Sequence, residues 1–123
     1  MAKILICDNE APLRALVRAT LDPGGHELAE AADGDEALAL SERLRPDLIV
    51  LDMMMPGRSG LEVLAALRRH PELAATKVIL LTARTQAADR AAVDAAGADR
   101  FLGKPFSPSE LAGLVEKMLE QPR

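Results

Sequence analysis

Two carboxylates, an amide, a hydroxyl and an ammonium stand directly after or at the end of short apolar runs: Asp8, Asn9, Asp52, Thr82 and Lys104. Carboxylate and amide oxygens are hard ligands suited to Mg²⁺, which takes few protein oxygens and keeps places for water and phosphate. Thr82 adds a hydroxyl donor and Lys104 a mobile positive charge. Together such groups can hold a metal ion, neutralise a phosphoryl group and present one carboxylate as nucleophile. Any one of them alone reads as a cap or turn former, and a lone lysine beside carboxylates reads as a plain ion pair. Their conjunction is the signal. Pro105 follows Lys104, and an X-Pro bond adopts the cis form at a cost of only about 0.5–1 kcal/mol. The chain can therefore turn sharply there and aim the ammonium inward.

These residues share a site only if the elements before them end on one side of the molecule. Lys3–Cys7, His26–Ala31, Asp47–Leu51 and Lys77–Leu81 read as strands, with a weaker fifth at Asp99–Gly103. The first, third and fourth are continuous in Ile, Leu and Val, as burial on both faces of a parallel sheet requires. Helical spacing separates them. Leu13, Leu16, Val17, Thr20 and Leu21 recur at i, i+3, i+4, i+7 and i+8, and so do Leu111, Leu114, Val115, Met118 and Leu119. Gly34–Leu44 and Ser59–Arg69 carry adequate apolar stripes, whereas Gln86–Ala96 is mostly alanine, with helix propensity but little to bury. Ser107-Pro108-Ser109-Glu110 reads as a capping box opening the last helix. Gly97 suits a left-handed helix end, and Pro46 closes the second helix. Five strand-then-helix units imply a doubly wound α/β fold with right-handed crossovers, in which ligands bind beyond the carboxyl ends of the strands.

The totals agree with one such domain over residues 1–123. Apolar residues make up 49% and charged residues 28%, a globular balance that excludes a disordered or fibrous chain. A net charge of −4 argues against a phosphate-tracking surface, so direct nucleic-acid binding is not expected. The first apolar run is too short for a signal peptide or a membrane span, so a cytoplasmic protein is expected. Cys7 is the one cysteine and, lying in an apolar run, reads as core rather than as a redox group. His26 and His70 fall in expected loops without partner motifs and read as solvent-exposed.

Several motifs in order now carry a resemblance: Ile4-Leu5-Ile6-Cys7-Asp8-Asn9-Glu10, Pro46 through Gly57, Gly60-Leu61-Glu62, Leu81-Thr82-Ala83, Gly97-Ala98-Asp99 and Lys104-Pro105-Phe106. From about Lys3 to Glu120 the chain resembles the receiver domain of two-component response regulators, of the chemotaxis-regulator type. The resemblance implies a flavodoxin-like, five-stranded parallel sheet of order 2-1-3-4-5 with five flanking helices. It implies Asp52 as phosphoacceptor, phosphate contacts from Thr82 and Lys104, and Mg²⁺ held near Asp8, Asn9, Asp52 and the Met54 backbone carbonyl. Phe101 would pass the signal to the surface of the fourth helix, fifth strand and fifth helix; its other reading is plain core. Met54 and Arg84 stand where similar domains tune phosphoryl lifetime, and read otherwise as exposed loop residues. A histidine kinase or phosphotransfer protein would donate, a downstream effector protein or domain would receive, and a phosphorylation-dependent homodimer belongs to the same expectation. No enzyme activity is expected beyond self-phosphorylation and autodephosphorylation.

One departure is Asn9, an amide where similar domains carry a second acid that ligates the metal directly. Shifting the register would place that pair on Cys7 and Asp8, but the apolar spacing of Leu13, Leu16 and Val17 favours the gapless alignment. A unit charge pair at 4 Å attracts by about 4 kcal/mol at an effective dielectric of 20, so weaker Mg²⁺ binding is expected, with function retained. Two alternatives stand beside this reading. One is a degenerate receiver that docks proteins without phosphorylation. The other is a flavodoxin-like enzyme or cofactor carrier, against which stand the lack of a Gly-rich loop after the first strand and the absence of Trp and Tyr.

Overall fold

The computed structural model describes residues 2–82 and 97–121. Along the chain run β1 (Lys3–Cys7), α1 (Ala11–Leu21), a 3₁₀ turn (Asp22–Gly24), β2 (Glu27–Ala31), α2 (Gly34–Leu44), β3 (Leu48–Asp52), α3 (Gly60–Arg69), β4 (Lys77–Thr82), β5 (Arg100–Gly103) and α4 (Pro108–Glu120). All strand pairs are parallel, in the order β2-β1-β3-β4-β5, as expected. Four α-helices flank the sheet among the described residues. The helix expected over Gln86–Ala96, and Arg84 before it, lie outside them.

The apolar runs explain the layering. Successive side chains of a strand point to opposite faces, so a strand with no polar interior position feeds two cores at once. Leu5, Cys7, Ile49, Leu51, Val78 and Leu80 pack on one face with Ala37 of α2 and Val63, Leu64 and Leu67 of α3. Ile4, Ile6, Leu48, Val50, Ile79 and Leu81 pack on the other with Val17 and Leu21 of α1 and with Leu111, Val115 and Met118 of α4. Every residue of β3 is buried, and it is the middle strand of the sheet, so its last residue, Asp52, is a buried strand end.

Helix signals are met with one difference. Ser107 accepts from the Glu110 N–H, as expected of an N-cap. The complete reciprocal box is found at α3, where Ser59 accepts from the Glu62 N–H and the Glu62 carboxylate accepts from the Ser59 N–H. Gly97 has φ 88, the left-handed conformation expected of it.

Strand ends shift by a residue. β2, β3 and β5 begin one position later than the sequence pattern indicates, and β3 and β4 run on through Asp52 and Thr82. Those two residues pair with Leu81 and Gly103 in the ladder, so their backbones belong to the sheet. The histidines also depart from expectation. The His26 side chain is 7% exposed, because it accepts from the Ala2 N–H and meets Glu116 of α4 at 2.8 Å. His70 is half-buried at the end of α3, where its ring accepts from the Glu72 N–H. Cys7 is fully buried, and that burial pushes its thiol well above the ordinary range, with Glu36 and Asp8 adding to the effect. It is a core residue.

Gly113 lies within α4 with open space where a Cβ would stand. A glycine inside a helix costs about 0.8–1.0 kcal/mol relative to alanine. Gly113→Ala is expected to raise the unfolding free energy by about that amount in urea titration, and an unchanged or lowered midpoint would contradict this placement of the helix.

Candidate functional site

The parallel sheet sends the carboxyl ends of β1, β3, β4 and β5 to one edge, and the sequence puts a polar residue at each. Lys104, one residue past β5, is directed inward by a backbone bond from its N–H to the Thr82 carbonyl at 2.6 Å and by a cis Lys104-Pro105 peptide. Its ammonium lies 3.2 Å from Asp52 Oδ1 and 3.4 Å from Asp8 Oδ2. One cation thus joins two carboxylates from different strands. Neither carboxylate has much water: the side chains of Asp8 and Asp52 are 1% and 5% exposed.

Asp8 is locked from behind. Its N–H donates to the Ala31 carbonyl, continuing the β1–β2 ladder, and its Oδ1 accepts from the Glu10 N–H at 2.9 Å. Only Oδ2 is turned to Lys104. Asp52 is held more lightly, with Oδ1 accepting from the Met54 N–H at 3.3 Å. Burial pushes the Asp52 carboxyl above the ordinary aspartate range and the Asp8 charge pushes it further; the Lys104 ammonium and the Met54 N–H pull the other way without cancelling the rise. Such a carboxylate gains from an added cation or from a positive reaction partner.

Thr82 is 1% exposed, and its Oγ1 has no hydrogen-bond partner among the described residues. A buried hydroxyl left without a partner costs about 1–3 kcal/mol. Thr82 ends β4 beside the strand that carries Asp52, so this hydroxyl is a donor without an acceptor among the described residues.

The donor set fits a divalent cation of the Mg²⁺ kind. Asp8 and Asp52 supply two anionic oxygens at close quarters. Asn9, exposed directly after Asp8, and the carbonyl of Met54 are neutral oxygens of the hard type that Mg²⁺ prefers. Among the described residues no three Asp, Glu, His or Cys side chains gather as ligands. The negative charge of the set therefore rests on two residues, which is the consequence of Asn9.

The structure brings together Asp8, Asp52, Thr82 and Lys104, with Asn9 and Met54 beside them. Phe101 stands apart, half-buried, in register with Leu80 two residues short of Thr82, and packs on the core between the sheet and α2 and α3. The Met54 side chain is 69% exposed. Sequence reasoning missed two supports. One is the Met54 N–H on Asp52, which no residue type announces. The other is Gly60, where a Cβ would lie 2.3 Å from the Asp52 carbonyl oxygen; only glycine lets α3 start against the end of β3.

Residues 4–116 match the response regulator receiver domain family. Over 119 residues the chain is 42% identical to the transcriptional regulatory protein ResD of Bacillus subtilis, covering 97% of this chain and 48% of that protein. It is 42% identical over 122 residues to the phosphate regulon transcriptional regulatory protein PhoB of Rhizobium meliloti, covering 98% and 53%. The chain spans about half the length of these curated relatives. Among solved structures it is similar to the chemotaxis response regulator CheY4 of Vibrio cholerae, with a TM-score of 0.90, 36% identity and coverage of 95% of this chain and 98% of that one.

The raised Asp52 carboxyl makes a pH prediction. A group that binds its proton more tightly in the folded chain than in the unfolded one favours folding below its ordinary pKa, and that contribution is lost as pH rises through the raised value. Asp52→Asn removes the loss. Its Tm is expected to exceed that of the wild type at neutral pH, the gap closing on acidification; equal Tm values across that range would contradict it.

Proposed function

This chain belongs to the response regulator receiver domain family, and from that premise we propose that it is a phosphorylation-controlled switch that accepts a phosphoryl group on Asp52 in a Mg²⁺-dependent step. The observation that carries the reading is the joining of Asp8 and Asp52 by one ammonium at 3.4 and 3.2 Å, with the buried Thr82 hydroxyl beside them. A histidine kinase or phosphotransfer protein, acting in the cytoplasm, is the natural donor. An Asp52 oxygen attacks phosphorus, the O–P bond forms as the donor's N–P bond breaks, and the imidazole leaves with the electron pair and takes up a proton.

Each residue has a part. Burial and Asp8 keep the Asp52 carboxylate short of compensation and therefore reactive. Lys104 is close enough to follow the new charge, since charge-assisted hydrogen bonds are about twice as strong as neutral ones. Asp8, Asn9, Asp52 and the Met54 carbonyl would hold the Mg²⁺, which when bound spreads positive charge over the phosphoryl oxygens. Thr82 gains in the phosphorylated state the acceptor it lacks at rest, and its movement leaves room for Phe101. An effector protein or domain, in this chain or another, would read the altered surface around β5 and α4.

Three experiments bear on this. Incubation with acetyl phosphate and Mg²⁺, followed by intact mass, is expected to add one phosphoryl group to the wild type and none to Asp52→Asn. Asn9→Asp is expected to reach half-labelling at lower Mg²⁺. Failure of the wild type to label at any Mg²⁺ concentration would leave the protein-docking reading in its place. Thr82→Val removes a buried hydroxyl that has no partner among the described residues, so the unphosphorylated variant is expected to be more stable by about 1 kcal/mol in urea. Phosphorylation should shift the Phe101 ring signals in NMR spectra of the wild type and leave them in place in Thr82→Val; wild-type signals that stay unchanged would rule out the switch.

A further inference from the structure

Asp8 and Asn9 owe their position to a part of the molecule outside the crevice. The N–H of Asp8 is taken by Ala31 and its Oδ1 by Glu10, while its backbone carbonyl accepts from Arg14 Nη1 at 2.7 Å. Arg14 is on the first turn of α1 with a side chain 19% exposed. Its Nε donates to Glu30 Oε1 at 3.2 Å, and the second oxygen of Glu30 accepts from Arg18 Nη1 at 2.8 Å. Glu30 sits on the edge strand β2, opposite Ile6 in the ladder. A guanidinium is a planar fork with fixed donor directions, so an anchored Arg14 fixes the peptide that joins Asp8 to Asn9.

We propose that Arg14, held by Glu30, is a positioning residue of the phosphorylation site that sets its affinity for the divalent cation. Two physical effects act together. The hydrogen bond fixes the Asp8–Asn9 peptide, and with it the direction in which the Asn9 side chain leaves the backbone. This matters more for a neutral amide ligand than for a carboxylate, because the amide has no net charge to draw the cation from a distance. The second effect is charge. An uncompensated guanidinium bound to the Asp8 carbonyl would repel a divalent cation, and Glu30, shared between Arg14 and Arg18, supplies negative charge that offsets part of that repulsion. Removing an outer partner of a metal ligand typically lowers metal affinity about 10–100-fold.

The inference rests on the metal-dependent reading above, and calorimetric titration of the purified chain with MgCl₂ alone separates the two. Arg14→Gln is expected to weaken Mg²⁺ binding about tenfold. Glu30→Gln, on a half-exposed strand position, should weaken it with little change in Tm. The double variant should bind about as weakly as Arg14→Gln alone, because Glu30 acts on the site only through Arg14. The Asn9 side-chain amide signals in NMR spectra, recorded without metal, should shift in Arg14→Gln; a residue that merely supports the fold would lower Tm and leave them in place. Wild-type affinity in both folded single variants would overturn the positioning role while leaving the phosphoacceptor reading intact. Absence of Mg²⁺ binding by the wild type would overturn both. Additive losses in the double variant would overturn the unit formed by Glu30 and Arg14.

Discussion

The arrangement depends on one ion triplet. Lys104, 19% exposed, joins two carboxylates that are almost dry, and removing two charges from water costs several kcal/mol per ion even after relaxation. A single ammonium cannot compensate both equally. Burial first, and the Asp8 charge after it, hold the proton affinity of Asp52 above the ordinary value although Lys104 and the Met54 N–H oppose the rise. The resting site is therefore anionic beyond what its own cation neutralises. In the proposed reading that imbalance would favour a divalent cation there and a phosphorus electrophile at Asp52.

Holding such a site together requires strand ends that do not yield. β3 gives Ile49 and Leu51 to one core and Leu48 and Val50 to the other, so Asp52 cannot retreat to solvent without disturbing Leu51 and Val50. Gly60 presses α3 against the Asp52 carbonyl from the other side. Asp8 is fixed through its N–H, its carbonyl and one carboxylate oxygen. Lys104, tied by its backbone to Thr82, comes from the far side of β4. Three strands and the loop after a fourth thus converge, and the parallel topology brings Lys104 to Asp8 across 96 positions of sequence.

The legible and illegible parts of the sequence divide along physical lines. Runs such as Leu48-Ile49-Val50-Leu51 announced strands buried on both sides, and polar residues at the strand ends announced the crevice, because parallel sheets leave nowhere else for them. Strand order came from the family resemblance rather than from pattern. His26 misled: a histidine before a strand with no motif reads as exposed, but the fold brings Glu116 of α4 to 2.8 Å from it across 90 residues. Arg14 was equally silent. At the sequence level it is one polar residue on an amphipathic helix, and its bond to the Asp8 carbonyl exists only because α1 folds back beside β1 and β2. Side chains acting on backbone carbonyls leave no residue-type signature, since every residue has a carbonyl.

The orphaned Thr82 hydroxyl bears on how far one bond can drive a conformational change. A hydrogen bond to a charged group contributes about 1.5–3 kcal/mol, whereas moving a two-state equilibrium from 1:99 to 99:1 takes about 5.5 kcal/mol. If Thr82 were satisfied at rest, an exchange of partners would yield less than the full bond. Among the described residues it has no partner, so in the proposed reading a phosphoryl oxygen would supply the bond and also relieve a buried donor. Thr82 then provides a larger share of the required free energy than an ordinary threonine, yet still less than the whole. Lys104, already 3.2 Å from Asp52, has little further to travel and changes the balance by charge rather than by motion. A switch built from these parts shifts its population by degrees. In the proposed reading, a partner that binds only the activated surface around β5 and α4 would complete the shift and would be part of the switch as well as its reader.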